Sequence, residues 1–152
     1  VSLIEDAFAN GKYENDTGEV DFVTFYEMNL LQGLLKEETE SRMLDYVINH
    51  EKGIYYIYGK RISELPKVFQ SIETSRYLEA IDILAGYQTA KEKLAFVVTW
   101  LEENRDENGQ WDLGAKAKDN LYFPLSDSWR NVECRKADCT EKISVIIDKL
   151  RA

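Results

Sequence analysis

The chain has 152 residues, of which 44% are hydrophobic and 31% charged, a balance typical of one folded globular domain. Its net charge of −9 argues against the basic face that nucleic acids and anionic membranes bind, so neither is an expected partner. No apolar run approaches the roughly 20 residues of a membrane span, and two cysteines are too few for a disulfide scaffold. We therefore expect a cytoplasmic protein without a cofactor.

Helical periodicity dominates the chain. Apolar residues that recur every three or four positions predict helices over residues of about 20–36, 39–50 and 73–85. Gly86 then provides a stop signal, and Thr89 and Glu92 have the spacing of a capping box. A fourth helix is therefore predicted to run from there to about residue 104 and to form an antiparallel hairpin with the third.

A last helix is predicted at the carboxyl end of the chain. Asp138 and Glu141 repeat the capping-box spacing, and the apolar residues that follow them have helical spacing. Two stretches break the helical pattern. Residues 53–59, rich in aromatic and β-branched side chains between glycines, predict a short extended piece, and residues 105–131 predict a long loop packed over one end of the helices.

A Gly-x-aromatic motif occurs three times, at Gly11–Tyr13, Gly53–Tyr55 and Gly109–Trp111. Its aromatic residues are separated by 42 and 56 positions, which lies in or near the range of helical-repeat proteins. The interpretation we favour is structural: the glycine ends a helix in the left-handed conformation, and the aromatic ring folds back onto the preceding turn.

The third copy extends backwards into a longer pattern. Trp100-Leu101 is followed by three residues, Arg105, three more residues and Gly109-Gln110-Trp111. This resembles the QW motif of the squalene cyclase and protein prenyltransferase superfamily, with Arg105 in the place of Gln. A second copy, with Glu51 in the Gln place and Tyr55 in the Trp place, is more degenerate.

The resemblance implies an all-α fold of antiparallel helical hairpins in a partial α/α toroid. Because about six helices form only half of such a ring, we expect residues 1–152 to be one domain and a fragment, or the C-terminal part, of a longer chain. The uncovered hairpin edges would then need a protein partner, self-association or the missing upstream part of the longer chain.

Asp138-Cys139-Thr140-Glu141 resembles the Asp-Cys-Thr-Ala-Glu motif of oxidosqualene cyclases, whose aspartic acid protonates the substrate. Here the Ala is absent and Glu141 arrives one residue early, and an Asp–Glu helix cap explains the same residues. Asp138 is thus a candidate catalytic acid, with capping as the favoured alternative. His50, the single histidine, does not match the zinc ligands of the superfamily, so no metal site is predicted.

Binding residues are expected where aromatic and charged side chains gather in the irregular segments. Tyr55 is one candidate, and the long loop offers Tyr122, Asp127, Trp129 and Arg130 as a pocket wall. A loop that merely caps the helices is the alternative for this second group.

These observations predict a binding function on an aromatic-lined concave face, for a small apolar or carbohydrate ligand or for a protein partner. The alternative is an isoprenoid cyclase-like or carbohydrate-active enzyme that uses carboxylates such as Asp138 or Asp127. Whether the chain is an enzyme therefore stays open at the level of the sequence.

Overall fold

A computed structural model of the protein describes residues 25–118 and 129–152. This part of the chain is helical and contains no sheet, which confirms the all-α prediction for it. Its helices are α1 Phe25–Leu30, α2 Glu37–Asn49, α3 Ile72–Leu84, α4 Ala90–Lys93, α5 Ala95–Glu103 and α6 Val132–Arg151, with a short 3₁₀-helix at Ala115–Ala117.

The helices α2 and α3 start and end close to where the apolar spacing predicts them. The first helix is shorter than predicted at its carboxyl end, because Gly33 takes a φ of 76°. That left-handed conformation cannot continue a right-handed helix, and glycine adopts it without steric cost. The predicted start at residue 20 lies outside the described residues.

The predicted fourth helix is broken in two at Leu94, whose φ is −107°. The Thr89 side chain does not cap α4 as the predicted capping box required. Instead the buried carboxylate of Glu40, on α2, accepts hydrogen bonds from the Thr89 backbone N–H (3.0 Å) and hydroxyl (2.8 Å). The helix end is therefore satisfied by a residue distant in sequence, which local spacing cannot reveal.

The last helix begins at Val132 and not at Asp138, so the prediction of a cap at Asp138 and Glu141 is wrong. Asn131 is the N-cap, and its side-chain oxygen accepts a hydrogen bond from the Cys134 N–H at 3.1 Å. Asn is among the strongest N-cap residues, which explains the earlier start. Asp138 consequently lies inside the helix, with a buried side chain.

One hydrophobic core holds these helices together. The helix α6 packs against α3, α4 and α5, while α1 packs on α3 and α2 on α4. A row of edge-to-face ring contacts continues the core toward the irregular segments, with the centroids of Tyr58 and Tyr77, Tyr77 and Trp100, and Phe69 and Trp100 separated by 5.2, 5.6 and 5.3 Å. Most of the aromatic rings in the described residues are thus core rings, each worth roughly 1.5–3 kcal/mol on burial.

Residues 53–59 form the short extended piece that the composition predicts, and it consists of a single β-bridge. Ile54 and Tyr58 make an isolated antiparallel bridge with N···O distances of 2.9 and 3.0 Å. Gly53 enters this turn with a φ of 58°, and a Cβ at this position would lie 2.2 Å from the Tyr58 carbonyl oxygen. No residue larger than glycine fits there.

Candidate functional site

The structure brings two of the predicted site residues, Trp129 and Asp138, into direct contact. The Trp129 indole N–H donates to Asp138 Oδ2 at 2.8 Å, and both side chains are buried. Arg130 is exposed beside them, and Tyr55 belongs to the separate 53–59 segment. Tyr122 and Asp127 lie outside the described residues.

An arginine that the sequence did not single out organises this contact. Arg135 is buried on the first turns of α6, and its guanidinium donates hydrogen bonds to both carboxylate oxygens of Asp112, at 2.6 and 3.0 Å. Its third donor reaches the Trp129 carbonyl at 2.7 Å. This Arg135 network (Asp112, Trp129, Arg135 and Asp138) ties the Trp129 end of the long loop, and the segment after α5, to α6.

The Arg135 network predicts acid sensitivity. Arg135, which hydrogen-bonds Asp112, holds the pKa of Asp112 below its ordinary value of 3.8. A carboxyl whose folded pKa is depressed contributes stability above its unfolded pKa and loses that contribution as pH falls through the folded value. We expect the free energy of unfolding to decline as pH falls below about 4, and urea titrations of Asp112→Asn to show a weaker decline. An unchanged slope in Asp112→Asn would contradict this assignment.

The chemistry open to Asp138 is limited by its partner. Its Oδ2 already accepts the indole N–H and the side chain is buried, so Asp138 does not present a carboxyl to an open pocket. The neighbouring Cys139 is fully buried, and burial raises its pKa to about 12, so this thiol stays protonated and unreactive at neutral pH. The arrangement is that of a structural anchor for α6.

The copies of the Gly-x-aromatic motif at Gly53 and Gly109 share a glycine conformation and differ in what their aromatic residue does. Gly109 has a φ of 76°, and Trp111 is 4% exposed, with its indole N–H donating to the Leu101 carbonyl at 2.7 Å. Arg105 lies over the Trp111 ring, 5.9 Å from its centroid. The ring therefore packs back onto α5 as expected, but the glycine does not end that helix, because α5 ends at Glu103, six residues earlier. The copy at Gly11–Tyr13 lies outside the described residues.

In the second copy, Gly53 is again left-handed, but Tyr55 is 60% exposed and the buried residue is Ile54. Tyr56 is 75% exposed and has a φ of 73°, a conformation rarely adopted by bulky residues. The two tyrosine rings have centroids 4.2 Å apart at an angle of 47°, and the neighbouring Tyr55 hydroxyl raises the pKa of Tyr56. This Tyr55–Tyr56 turn thus displays two aromatic rings to solvent.

A groove adjoins the Tyr55–Tyr56 turn. It consists of an open cavity of about 300 Å³ between residues 57–60 and the start of α3, and a second of about 170 Å³ that extends it along residues 58–67. Tyr58, Lys60 and Glu73 line both cavities, so we call the whole feature the Tyr58 groove. Within it Glu73 accepts hydrogen bonds from Lys60 at 2.7 Å and from Tyr58 at 3.4 Å. Burial, and then Glu73, raise the pKa of Tyr58 to about 12, so its hydroxyl remains a donor.

Comparison with known proteins gives no family for this chain: a scan against family models, a search of curated proteins and a search of solved structures each find no match. Among the described residues no helix has both the length and the apolar character needed to cross a bilayer. These residues also include no group of three or more His, Cys, Asp or Glu side chains placed to hold a metal ion.

Proposed function

We propose that the chain is a non-catalytic helical binding domain, which recognises its ligand through the Tyr55–Tyr56 turn and the adjoining Tyr58 groove. The observation that carries this proposal is the exposed tyrosine pair itself. In the Trp111 copy of the motif the aromatic side chain is buried in the core, whereas in the Tyr55 copy it is exposed and can contact a partner. Exposed, paired aromatic residues beside a groove are typical of binding surfaces.

Backbone strain at Tyr56 supports the same proposal. A non-glycine residue in the left-handed region costs roughly 1–2 kcal/mol, and glycine at this position would avoid that cost. The Tyr56 side chain is 75% exposed and its ring contacts Tyr55, so burial in the core does not account for the conformation. Strained residues that persist on a surface are concentrated at functional sites.

The larger architecture belongs to the same proposal. We propose that the helices form part of an α/α toroid of the squalene cyclase and prenyltransferase type, on the strength of the Trp100 to Trp111 pattern and its left-handed Gly109. Its ligand would be a small apolar molecule, a carbohydrate or a segment of another protein, and we place the domain in the cytoplasm. The exposed Tyr55 gives the second copy of the repeat no structural support.

The alternative of a cyclase-like or carbohydrate-active enzyme finds no favourable observation in the described residues. Asp138 is bound by an indole N–H, as described above. The Asp112 carboxylate is fully engaged by Arg135. A carboxylate pair of the glycosidase type would need two acids facing one open pocket, whereas Asp138 is buried and Asp112 is paired with Arg135.

Binding is tested by NMR amide-shift mapping with three probes: farnesol, maltohexaose and a short peptide of alternating Glu and Leu. At least one probe should shift amides of residues 53–60 and 72–76, and Tyr55→Ala should weaken that probe about tenfold or more, the loss expected for an aromatic anchor. Trp129 and Asp138 amides serve as the internal control. Shifts confined to those control amides would contradict the proposal and favour the enzyme alternative, and the absence of shifts with all three probes would also count against it.

A further inference from the structure

We infer that the Tyr58 groove takes an acidic segment of a partner protein, in which aliphatic side chains stand between carboxylates. This inference rests on the proposed binding function and adds the chemistry of the ligand. It follows from three features of the groove: its two adjoining cavities, the sign of its charge and the apolar residues in its walls.

The groove consists of two adjoining cavities. Its two cavities have volumes of about 300 and 170 Å³ and share Tyr58, Lys60 and Glu73 as common lining residues. A single compact molecule would fill one cavity and leave the other open. An extended chain fits both, because consecutive residues of an extended peptide advance by about 3.3 Å each and present side chains alternately.

The groove is basic in an acidic protein. The whole chain carries 28 acidic and 19 basic residues, but the ionisable residues that line the groove, tyrosine aside, are Lys60, Arg61, Lys67 and Arg76 against Glu64 and Glu73. Both glutamates are already in ion pairs within the groove, Glu73 with Lys60 at 2.7 Å and Glu64 with Arg61 at 3.8 Å. Charge complementarity therefore selects an anionic ligand and steers it to this surface.

The walls also expose aliphatic side chains. Ile72, the first residue of α3, lines the larger cavity and is 42% exposed, and Leu65 lines the smaller one. Burying these side chains against other aliphatic groups is favourable, whereas sugar hydroxyls placed there would lose hydrogen bonds to water. The Tyr55 and Tyr56 rings, inclined at 47°, do not form the flat platform on which a sugar ring would stack. A peptide with aliphatic residues is thus favoured over an acidic carbohydrate.

Glu73 gives the inference a specific consequence. The Glu73 carboxylate accepts hydrogen bonds from the Lys60 ammonium and from the Tyr58 hydroxyl. It therefore holds the position that a carboxylate of the ligand would take. Neutralising Glu73 should therefore improve binding of an acidic ligand, while neutralising Lys60 should weaken it. A merely structural role for the pair would not give effects of opposite sign.

The test measures fluorescence anisotropy of a labelled peptide of alternating Glu and Leu, with counterparts in which Gln or Lys replaces Glu. The Glu peptide should bind about tenfold or more tightly than the Lys peptide, with an affinity that falls as salt screens the charges. Lys60→Gln should weaken it about three- to tenfold, and Glu73→Gln should strengthen it by a similar factor. Since the Lys60 side chain is 67% exposed, its replacement leaves the fold intact.

Matched controls exist elsewhere in the chain. Lys149 pairs with Asp82 at 2.7 Å, the same distance as in the Lys60 pair, and Lys149→Gln should leave binding unchanged. Val132 begins α6 as Ile72 begins α3 and is 49% exposed, so Ile72→Thr should weaken the Glu peptide and Val132→Thr should not.

Equal binding of the Glu and Lys peptides, or loss of affinity in Glu73→Gln, would overturn the inference. Binding of oligogalacturonate at the groove without binding of the Glu peptide would overturn it in favour of an acidic carbohydrate. If farnesol or maltohexaose alone binds in a Tyr55-dependent manner, the proposed binding function survives and the acidic-peptide inference fails.

Discussion

Replacing Trp111 by Ala is expected to lower the free energy of unfolding by about 3–5 kcal/mol, the range found when a large buried aromatic side chain is truncated. The indole is 4% exposed and its N–H donates to the Leu101 carbonyl near the end of α5, so the change leaves a cavity and removes one of the two hydrogen bonds to that carbonyl, the other coming from the Asn104 N–H. Urea denaturation gives the difference directly. Trp111→Phe separates the two contributions, because it keeps most of the ring and should cost about 0.5–1.5 kcal/mol for the lost hydrogen bond.

The control for Trp111 is supplied by the chain itself. Tyr55 occupies the same position of the same motif, but it is 60% exposed, and Tyr55→Ala should change stability by about 0.5 kcal/mol or less. The Tyr55→Ala variant should lose ligand binding and keep its fold. Trp111→Ala should instead lose binding because the fold is destabilised. Similar destabilisation of the two variants would refute the assignment of different roles to the two copies.

Removal of Arg135 is expected to be comparably severe. Arg135→Met removes the cation from the Asp112 carboxylate, whose side chain is 16% exposed, and one donor from the Trp129 carbonyl, and breaking such a largely buried pair typically costs about 3–5 kcal/mol. Because the two residues interact, the double variant with Asp112→Leu should be less destabilised than the sum of the single variants by at least about 1 kcal/mol.

An exposed arginine serves as the comparison. Arg105 pairs with Glu102 at 3.2 Å and lies over the Trp111 ring, but its side chain is largely accessible, so Arg105→Met should cost about 1 kcal/mol or less. If thermal and urea unfolding give equal losses for Arg135→Met and Arg105→Met, the buried network does not stabilise the fold as described. The same conclusion would follow if the losses of unfolding free energy in Arg135→Met and Asp112→Leu were strictly additive in the double variant.

Much of the helical framework follows from local sequence patterns. The apolar spacing of α2 and α3 predicts their bounds within a few residues, and the composition of residues 53–59 predicts the extended piece. These features are set by residues close in the chain, where propensity and periodicity act. The contact of the Trp111 indole with the Leu101 carbonyl is likewise made between residues only ten positions apart.

What the sequence did not reveal depends on contacts between distant residues. The start of α4 is satisfied by Glu40, 49 residues earlier in the chain, and the break at Leu94 follows no Gly or Pro signal. Asp138 has the spacing of a cap, but Asn131 begins the helix seven residues sooner and places Asp138 against Trp129. In both cases a local signature is outweighed by a partner that only the tertiary fold supplies.

Only one part of the candidate site, Tyr55, could be predicted from the sequence. Tyr55 follows from its position in an aromatic segment between glycines, whereas the Tyr58 groove depends on the start of α3 lying beside residues 57–60. Lys60, Glu73 and Arg76 form no motif in the sequence, and the fold brings them together. Composition alone, dominated by acidic residues, pointed away from a basic groove.

Because the two cysteines differ in burial, their reactivity reports on the detachment of α6 from the rest of the fold. Cys134 is exposed on the first turn of α6, while Cys139, little more than one turn later, is sealed in the core and keeps its proton. An alkylating reagent can reach the second sulfur only when α6 detaches from the helices it covers. The rate at which that sulfur is modified therefore follows the separation of the last helix from the body, in the unaltered sequence and without an introduced label.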